Sequence, residues 1–452
     1  MRAVLFSIGI LLGAGMGFAA EPLRIAPFAI DATPPIGSPL CDALVQPAKR
    51  IDDALTCRGV VILGAGQPIV LCSLDWVGIG NSGYDSFRTA LAAAAKTTPD
   101  RVAVHCTHAH DAPGCDFEAE AILKEAGLSG AAFAPAFAKS RIETAAKAIV
   151  AGIPQAKRVT HLSTGYATVK QVASNRRVLG PDGRVKWVRY SATKDAEARA
   201  QPEGTIDPLV RVVTFWNEAT PIAVLSYYAT HPQSYYGQGG VSCDFPGIAR
   251  GMREKQIPGA LLVHFNGAGG NVTAGKYNDG DPANRIVIAE RLAAGMKEAY
   301  EERKEMAIGA DDVAWRVVKV KLPAAPFLNE DKLLAEIADE KRTVRDRVIS
   351  ARRLAWLRRT KLGHETELIC LSIAGARILH MPGELFVEYQ LAAQQMAPKR
   401  FVAVAAYGDY GMGYIGTQIS YSQGGYETGP ASLVSPEVEA ILTEGMKKLL
   451  GE

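Results

Sequence analysis

Val60-Val61-Ile62-Leu63-Gly64-Ala65-Gly66-Gln67-Pro68-Ile69-Val70-Leu71-Cys72-Ser73-Leu74 consists of two short β-rich runs around a Gly/Pro break, and it predicts a hairpin. A helix follows over Tyr84 to Lys96. Arg101 to Cys106 reads as the next strand, whose end delivers a histidine-rich segment into a loop. The pattern returns downstream. Val210 to Trp216 and Ile222 to Tyr228, turning at Asn217-Glu218, predict a second hairpin, with a helix around Ile248 to Lys255 and a strand over Ala260 to Phe265 after it. Further strands are expected at Val313 to Leu322, Glu367 to Ile373 and Ala376 to His380. Helices are expected at Phe137 to Val150, Asn284 to Glu302, Leu385 to Gln395 and Pro436 to Leu450. Hairpins mixed with helices predict an α/β class, with α+β as the neighbouring alternative, on a mixed central sheet. No Pro/Ser-rich linker, low-complexity tract or internal repeat divides residues 21–452, so a single large domain is expected.

The first twenty residues are set apart from that domain. Arg2 precedes an apolar run from Ala3 to Leu12, and Gly17 and Ala19 fit a small-x-small cleavage site, so residues 1–20 read as a signal peptide and the mature protein as secreted or periplasmic. No later run approaches the roughly 20 apolar residues of a membrane span. At most peripheral membrane contact is expected. A net charge of +3 from 50 basic and 47 acidic residues gives no reason to expect a nucleic-acid partner. Seven cysteines match no zinc-finger or small disulfide scaffold. Cys115 and Cys243 stand just downstream of two of the motifs described next; they could bridge if those motifs converge, or remain separate buried thiols. The oligomeric state is not legible.

Lys341 to Lys361 is strongly basic, with Arg342, Arg345, Arg347, Arg352, Arg353, Arg358 and Arg359 against a single Asp346. It could attach to anionic lipid. Val344, Val348, Ile349, Leu354 and Leu357 recur at near-helical intervals, however, and favour a solvated amphipathic helix.

Chemistry concentrates in four segments. In Cys106-Thr107-His108-Ala109-His110-Asp111 the two histidines flank one residue, and an extended chain would point both imidazoles to one side, as a first-row metal requires. His231 leaves an apolar strand and is kept extended by Pro232. Glu384, in Pro382-Gly383-Glu384, again follows a strand directly, where a carboxylate can ligate a metal or favour the first turn of a helix. Tyr407 to Tyr426 is rich in glycine and tyrosine, which offers close backbone approach and phenolic oxygens. Gly267-Ala268-Gly269-Gly270-Asn271-Val272-Thr273 lacks the Lys-Ser/Thr of a phosphate-binding loop; it reads as a tight turn exposing N–H groups to substrate.

Taken together and in order, these segments resemble the catalytic domain of the neutral, non-lysosomal ceramidases, zinc amidases. The resemblance rests on Thr107-His108-Ala109-His110, Thr230-His231-Pro232-Gln233-Ser234, Gly270-Asn271-Val272-Thr273, Pro382-Gly383-Glu384, and Tyr414 with Tyr421 and Tyr426-Glu427 at family spacing. Ser174-Asn175-Arg176 is similar to the family's Asn-Arg segment. The resemblance implies a Zn2+ site of His108, His231, Glu384 and Tyr414, with His110, Arg176 and Tyr426 around the reacting carbonyl. Two imidazoles and a carboxylate leave zinc cationic enough to make water acidic near neutral pH. On this reading His110 handles the water proton, and Tyr426 and Arg176 donate to the oxyanion. The implied reaction is hydrolysis of an amide in a small-molecule or lipid-like N-acyl substrate. Thr273 replaces a family serine and keeps its hydroxyl, while Asp111 adds a negative charge beside the histidines. Full-length family members carry a further β-sandwich after the tyrosine-rich region, and only one helix is expected there in this chain. Ceramide specificity is therefore not inherited.

Other readings remain at this stage. The same site could serve as an esterase or lactonase, or as a degenerate site in a non-catalytic lipid- or sugar-binding protein. A metal-retaining pseudoenzyme is a further variant. An amidohydrolase barrel also opens with His-x-His, but the hairpins argue against a (β/α)8 pattern.

Overall fold

The computed structural model describes residues 21–451. Its main strands form three mixed sheets, two of five strands and one of four. The first is built on Thr56–Gly64 and Gly66–Leu74, antiparallel as expected, with the turn drawn in to Gly64-Ala65-Gly66. Both glycines hold positive φ, which a side chain at either position would disfavour. Helix Asn81–Ala95 then crosses over, and Val102–Cys106 returns parallel to Gly66–Leu74.

The same unit of hairpin, crossover helix and parallel strand occurs three times. Leu209–Asn217, Thr220–Tyr228, helix Asp244–Glu254 and Leu261–Asn266 make the second. Thr366–Ile373, Ala376–His380, helix Val387–Met396 and Phe401–Ala405 make the third. The chain therefore repeats in topology although its sequence shows no repeat. Among the described residues no barrel is formed.

Each sheet is buried on both faces. Val60, Ile62 and Leu71 of the first pack with Phe215, Leu225 and Phe265 of the second and Leu371, Ile378 and Ala405 of the third in one shared apolar centre. Val61, Leu63 and Val70 face outward onto helices Asn81–Ala95 and Pro135–Gly152. Alternate residues facing two apolar layers explain why the opening hairpin reads as an unbroken hydrophobic run.

Among the strands that escape the sequence pattern, three show why. Arg24–Asp31 contains Pro27, which argues against a strand. It is tolerated because the neighbouring Lys157–Arg158 pairs only with Arg24 and Ile25, so an edge is left at Pro27. His161–Thr168 is largely polar, and Phe401–Ala405 is only five residues long. The basic helix spans Val344–Lys361 and is less solvated than its composition implies: Val348, Ala351, Leu354 and Trp356 are buried, and Arg352 and Arg359 pair with Asp42 and Asp85. The expected signal peptide lies outside the described residues. Among those residues no helix is long and apolar enough to cross a membrane.

Candidate metal centre

The strand ends of the three units meet at one place. Cys106 N donates to Tyr407 O, Ala406 N to Asn266 O, and the Asn266 side-chain amide to Thr107 O, so the loops leaving the three parallel strands are tied together. Short bridges then set the functional residues. His231 pairs with Thr273, and Glu384 pairs with Tyr414 in a two-residue parallel ladder. Gly383 makes the last turn possible: its φ is +59°, and a Cβ there would lie 2.7 Å from Gly413 O. His108 itself adopts a left-handed φ of 71°, a strained value for a non-glycine residue at a site of convergence.

His108, His110, His231, Glu384, Tyr414, Arg176 and Tyr426 are all brought into this one region. The ring nitrogens of His108, His110 and His231 lie within 4.8 Å of one another, so these three buried imidazoles could hold a metal ion. Glu384 closes the other side. Its Oε2 is 3.2 Å from His108 Nε2 and 2.9 Å from His231 Nε2, and the Tyr414 hydroxyl is 3.3 Å from the same His231 nitrogen.

The tautomers follow from the remaining partners. His108 Nδ1 donates to Val77 O at 2.5 Å and His231 Nδ1 to Gly269 O at 2.6 Å, which in a neutral ring leaves a lone pair on each Nε2. Burial, aided by Arg176, lowers the pKa of His231 to about 3, so it is neutral at ordinary pH. Lone pairs and a carboxylate facing one another in a dry pocket call for a cation between them. His108 Nε2 has no hydrogen-bond partner within the protein. The donor set, imidazole nitrogens with carboxylate and phenolic oxygens, fits zinc.

Arg176 is fully buried beside this centre. Its Nη1 donates to the hydroxyls of Tyr414, at 3.0 Å, and Tyr426, and its Nη2 donates to Gln233 Oε1 at 3.1 Å. Burial works against its charge, but Tyr426, Tyr414 and Glu427 raise its pKa. Burial also pushes both phenols up, so they keep their protons. His110 donates from Nδ1 to His108 O, and its Nε2 accepts from the Gln233 amide at 2.7 Å. Burial and the neighbouring His108 and His231 keep it well below the usual histidine pKa, hence neutral.

Several participants were not singled out in the sequence. Gln233 links His110 to Arg176; the sequence showed it only as part of the motif Thr230-His231-Pro232-Gln233-Ser234, with no role of its own. The Tyr410 hydroxyl donates to Glu384 Oε1 at 2.9 Å, and the Tyr407 ring stacks on His108 with centroids 4.5 Å apart. Glu427 is buried between Arg176 and Arg177. Other expectations resolve differently. The Gly267–Thr273 loop directs the N–H groups of Ala268 to Gln390 and of Gly270 to Leu385, and its carbonyls orient His231. Asp111 is engaged by the Gly237 N–H and Arg285, and the Thr273 hydroxyl donates to Tyr190 O. All seven cysteines are free and buried, Cys115 and Cys243 included.

A cleft of about 570 Å³ opens onto the centre, with His110, Gln233, Glu384, Tyr410, Tyr414 and Tyr426 at its inner end. No family model and no curated protein matches this chain by sequence. Solved structures do match. A ceramidase complexed with C2 aligns with a TM-score of 0.68 at 17% identity, covering 95% of this chain and 75% of that one. The neutral ceramidase from Pseudomonas aeruginosa gives 0.68 at 18% identity, covering 95% and 74%. At such identities the likeness establishes a shared fold.

Proposed function

We propose that this chain, built on the neutral ceramidase fold, is a zinc-dependent hydrolase that cleaves the amide bond of an N-acyl substrate. One observation carries the reading: His108 Nε2 and His231 Nε2 converge on the Glu384 carboxylate with their other ring nitrogens already donating to carbonyls. His108, His231 and Glu384 would hold the ion, with Tyr414 beside them. Bound zinc supplies Lewis acidity, polarising a carbonyl and making water acidic near neutral pH.

The chain's own residues supply the rest. His110 is neutral, with its lone pair on Nε2, and can accept a proton at that atom once the Gln233 amide yields. The Tyr414 and Tyr426 hydroxyls both accept from Arg176; Tyr414 lies 3.3 Å from the His231 Nε2 lone pair and can donate to it, which leaves the Tyr426 proton for the substrate. Tyr426 lines the cleft and can donate to the oxygen on which charge develops, with Arg176 behind it raising its acidity. The fold shared with two ceramidases supports the amide as the scissile bond.

The test is hydrolysis of matched N-acyl amides and O-acyl esters by zinc-reconstituted and chelated protein. Amide turnover that disappears on chelation and returns with zinc supports the proposal. Turnover of esters alone replaces the amidase with an esterase on the same site, and turnover of neither removes the catalytic reading.

A further inference from the structure

The basic helix Val344–Lys361 forms one wall of the cleft. Arg345, Ile349, Arg352 and Arg353 line it, a spacing that places them along one helical face. Arg352 is already spoken for: it pairs with Asp42 at 2.9 Å and lies over the Tyr410 ring, whose hydroxyl reaches Glu384. Arg345 is exposed, and Arg353 offers one donor to Pro430 O and packs over Phe327. Among the described residues neither forms an ion pair with a carboxylate, and the nearby Glu336 is taken by Arg342. Glu384 is the only carboxylate among the cleft-lining residues, and it belongs to the metal centre. Arg345 stands seven residues from Arg352, about 10 Å along the helix. Leu44, Val45, Ile349 and Leu433 supply apolar lining to the same cleft.

We propose that the substrate is an anionic amide: an N-acyl compound carrying a carboxylate or similar anion, separated from the scissile bond by an apolar segment and bound by Arg345 and Arg353. This rests on the hydrolase reading for the scissile bond, but the anion preference follows from the cleft alone. Two guanidinium groups without an ion-pair partner, on the wall of a cleft that also has apolar lining, attract an anion and match a carboxylate in shape. A neutral lipid amide would give neither an ionic partner.

The experiment compares N-acetyl-12-aminododecanoic acid with its methyl ester, which differ by one charge at the end of the alkyl chain remote from the amide, on the zinc-loaded wild type and the double variant Arg345→Gln/Arg353→Gln. Both kcat/KM and equilibrium binding are measured. The expected result is a preference of about tenfold for the acid in the wild type, collapsing toward unity in the variant and shrinking at high salt. Equal or better handling of the methyl ester by the wild type, or an acid preference unchanged in the double variant, overturns the proposal. If neither compound is hydrolysed, the binding ratio still decides: charge-selective binding lost in the variant upholds the anion site while removing the hydrolase reading. Binding of the acid only when it is presented in vesicles would transfer the arginines to a membrane role and overturn the proposal.

Discussion

His231 Nε2 lies 2.9 Å from Glu384 Oε2, although the same imidazole already donates its Nδ1 proton to Gly269 O. Burial keeps that ring neutral, with a pKa of about 3, so the short approach sets a lone pair against a carboxylate unless a cation lies between them. The backbone sets the two residues in place, through the bridges His231 to Thr273 and Glu384 to Tyr414.

Tyr426→Phe separates binding from chemistry. The hydroxyl accepts from Arg176 and lines the cleft, so its removal should lower kcat about 100-fold, the usual cost of one oxyanion donor, with metal content unchanged. Steady-state kinetics beside metal analysis checks this; equal loss of metal would place Tyr426 among the ligands instead.

Arg176→Ala acts on stability as well as rate. Arg176 is fully buried, and its loss leaves Glu427 with Arg177 alone and strips a donor from Tyr414, Tyr426 and Gln233. Denaturant unfolding should show a loss on the order of 3 kcal/mol. The folded fraction should show a depressed kcat/KM; wild-type rates there would remove Arg176 from the site.

Asp116 gives the fold a pH dependence of defined sign. Burial raises its carboxyl to about 7, against hydrogen bonds from Ala119 N–H and Asn81. An unfolded aspartate titrates near 4, so between about 4 and 7 the native state holds the extra proton, and stability falls as pH rises through that window. Asp116→Asn keeps an acceptor for the helix N-terminus and cannot ionise. Its melting temperature should therefore gain on the wild type as pH is raised from 5 to 8. A gain in the opposite direction would contradict the assignment.

The seven cysteines are free and buried, including Cys57 and Cys72, whose sulfurs are 3.5 Å apart. A thiol reagent should titrate none of them in the native protein and all seven after unfolding in denaturant without reductant. A lower final count would reveal a disulfide.

Much of the fold was legible where period and punctuation agreed. The hairpins around Gly64 to Gly66 and Asn217-Glu218 and the helix ending at Gly152 lie within a few residues of their expected bounds. Strand Arg24–Asp31 was hidden because Pro27 carries the opposite local signal. The threefold topology was hidden because it resides in the order of elements and leaves no repeated residues. At the centre, side chains at strand exits were visible one by one, and their order suggested convergence. Gln233 and Tyr410 were not visible, because a residue that positions another through a hydrogen bond has no spacing of its own. The basic helix misled in part: composition shows its charges, but only packing shows that Arg352 turns inward to Asp42.

The most direct test of the account is elemental analysis of the purified protein beside its His231→Ala variant, with circular dichroism to establish that both are folded. The account predicts about one zinc per chain in the wild type and near none in the folded variant. Folded wild-type protein that takes up no zinc at micromolar free metal would contradict it, and so would a variant that retains the full complement.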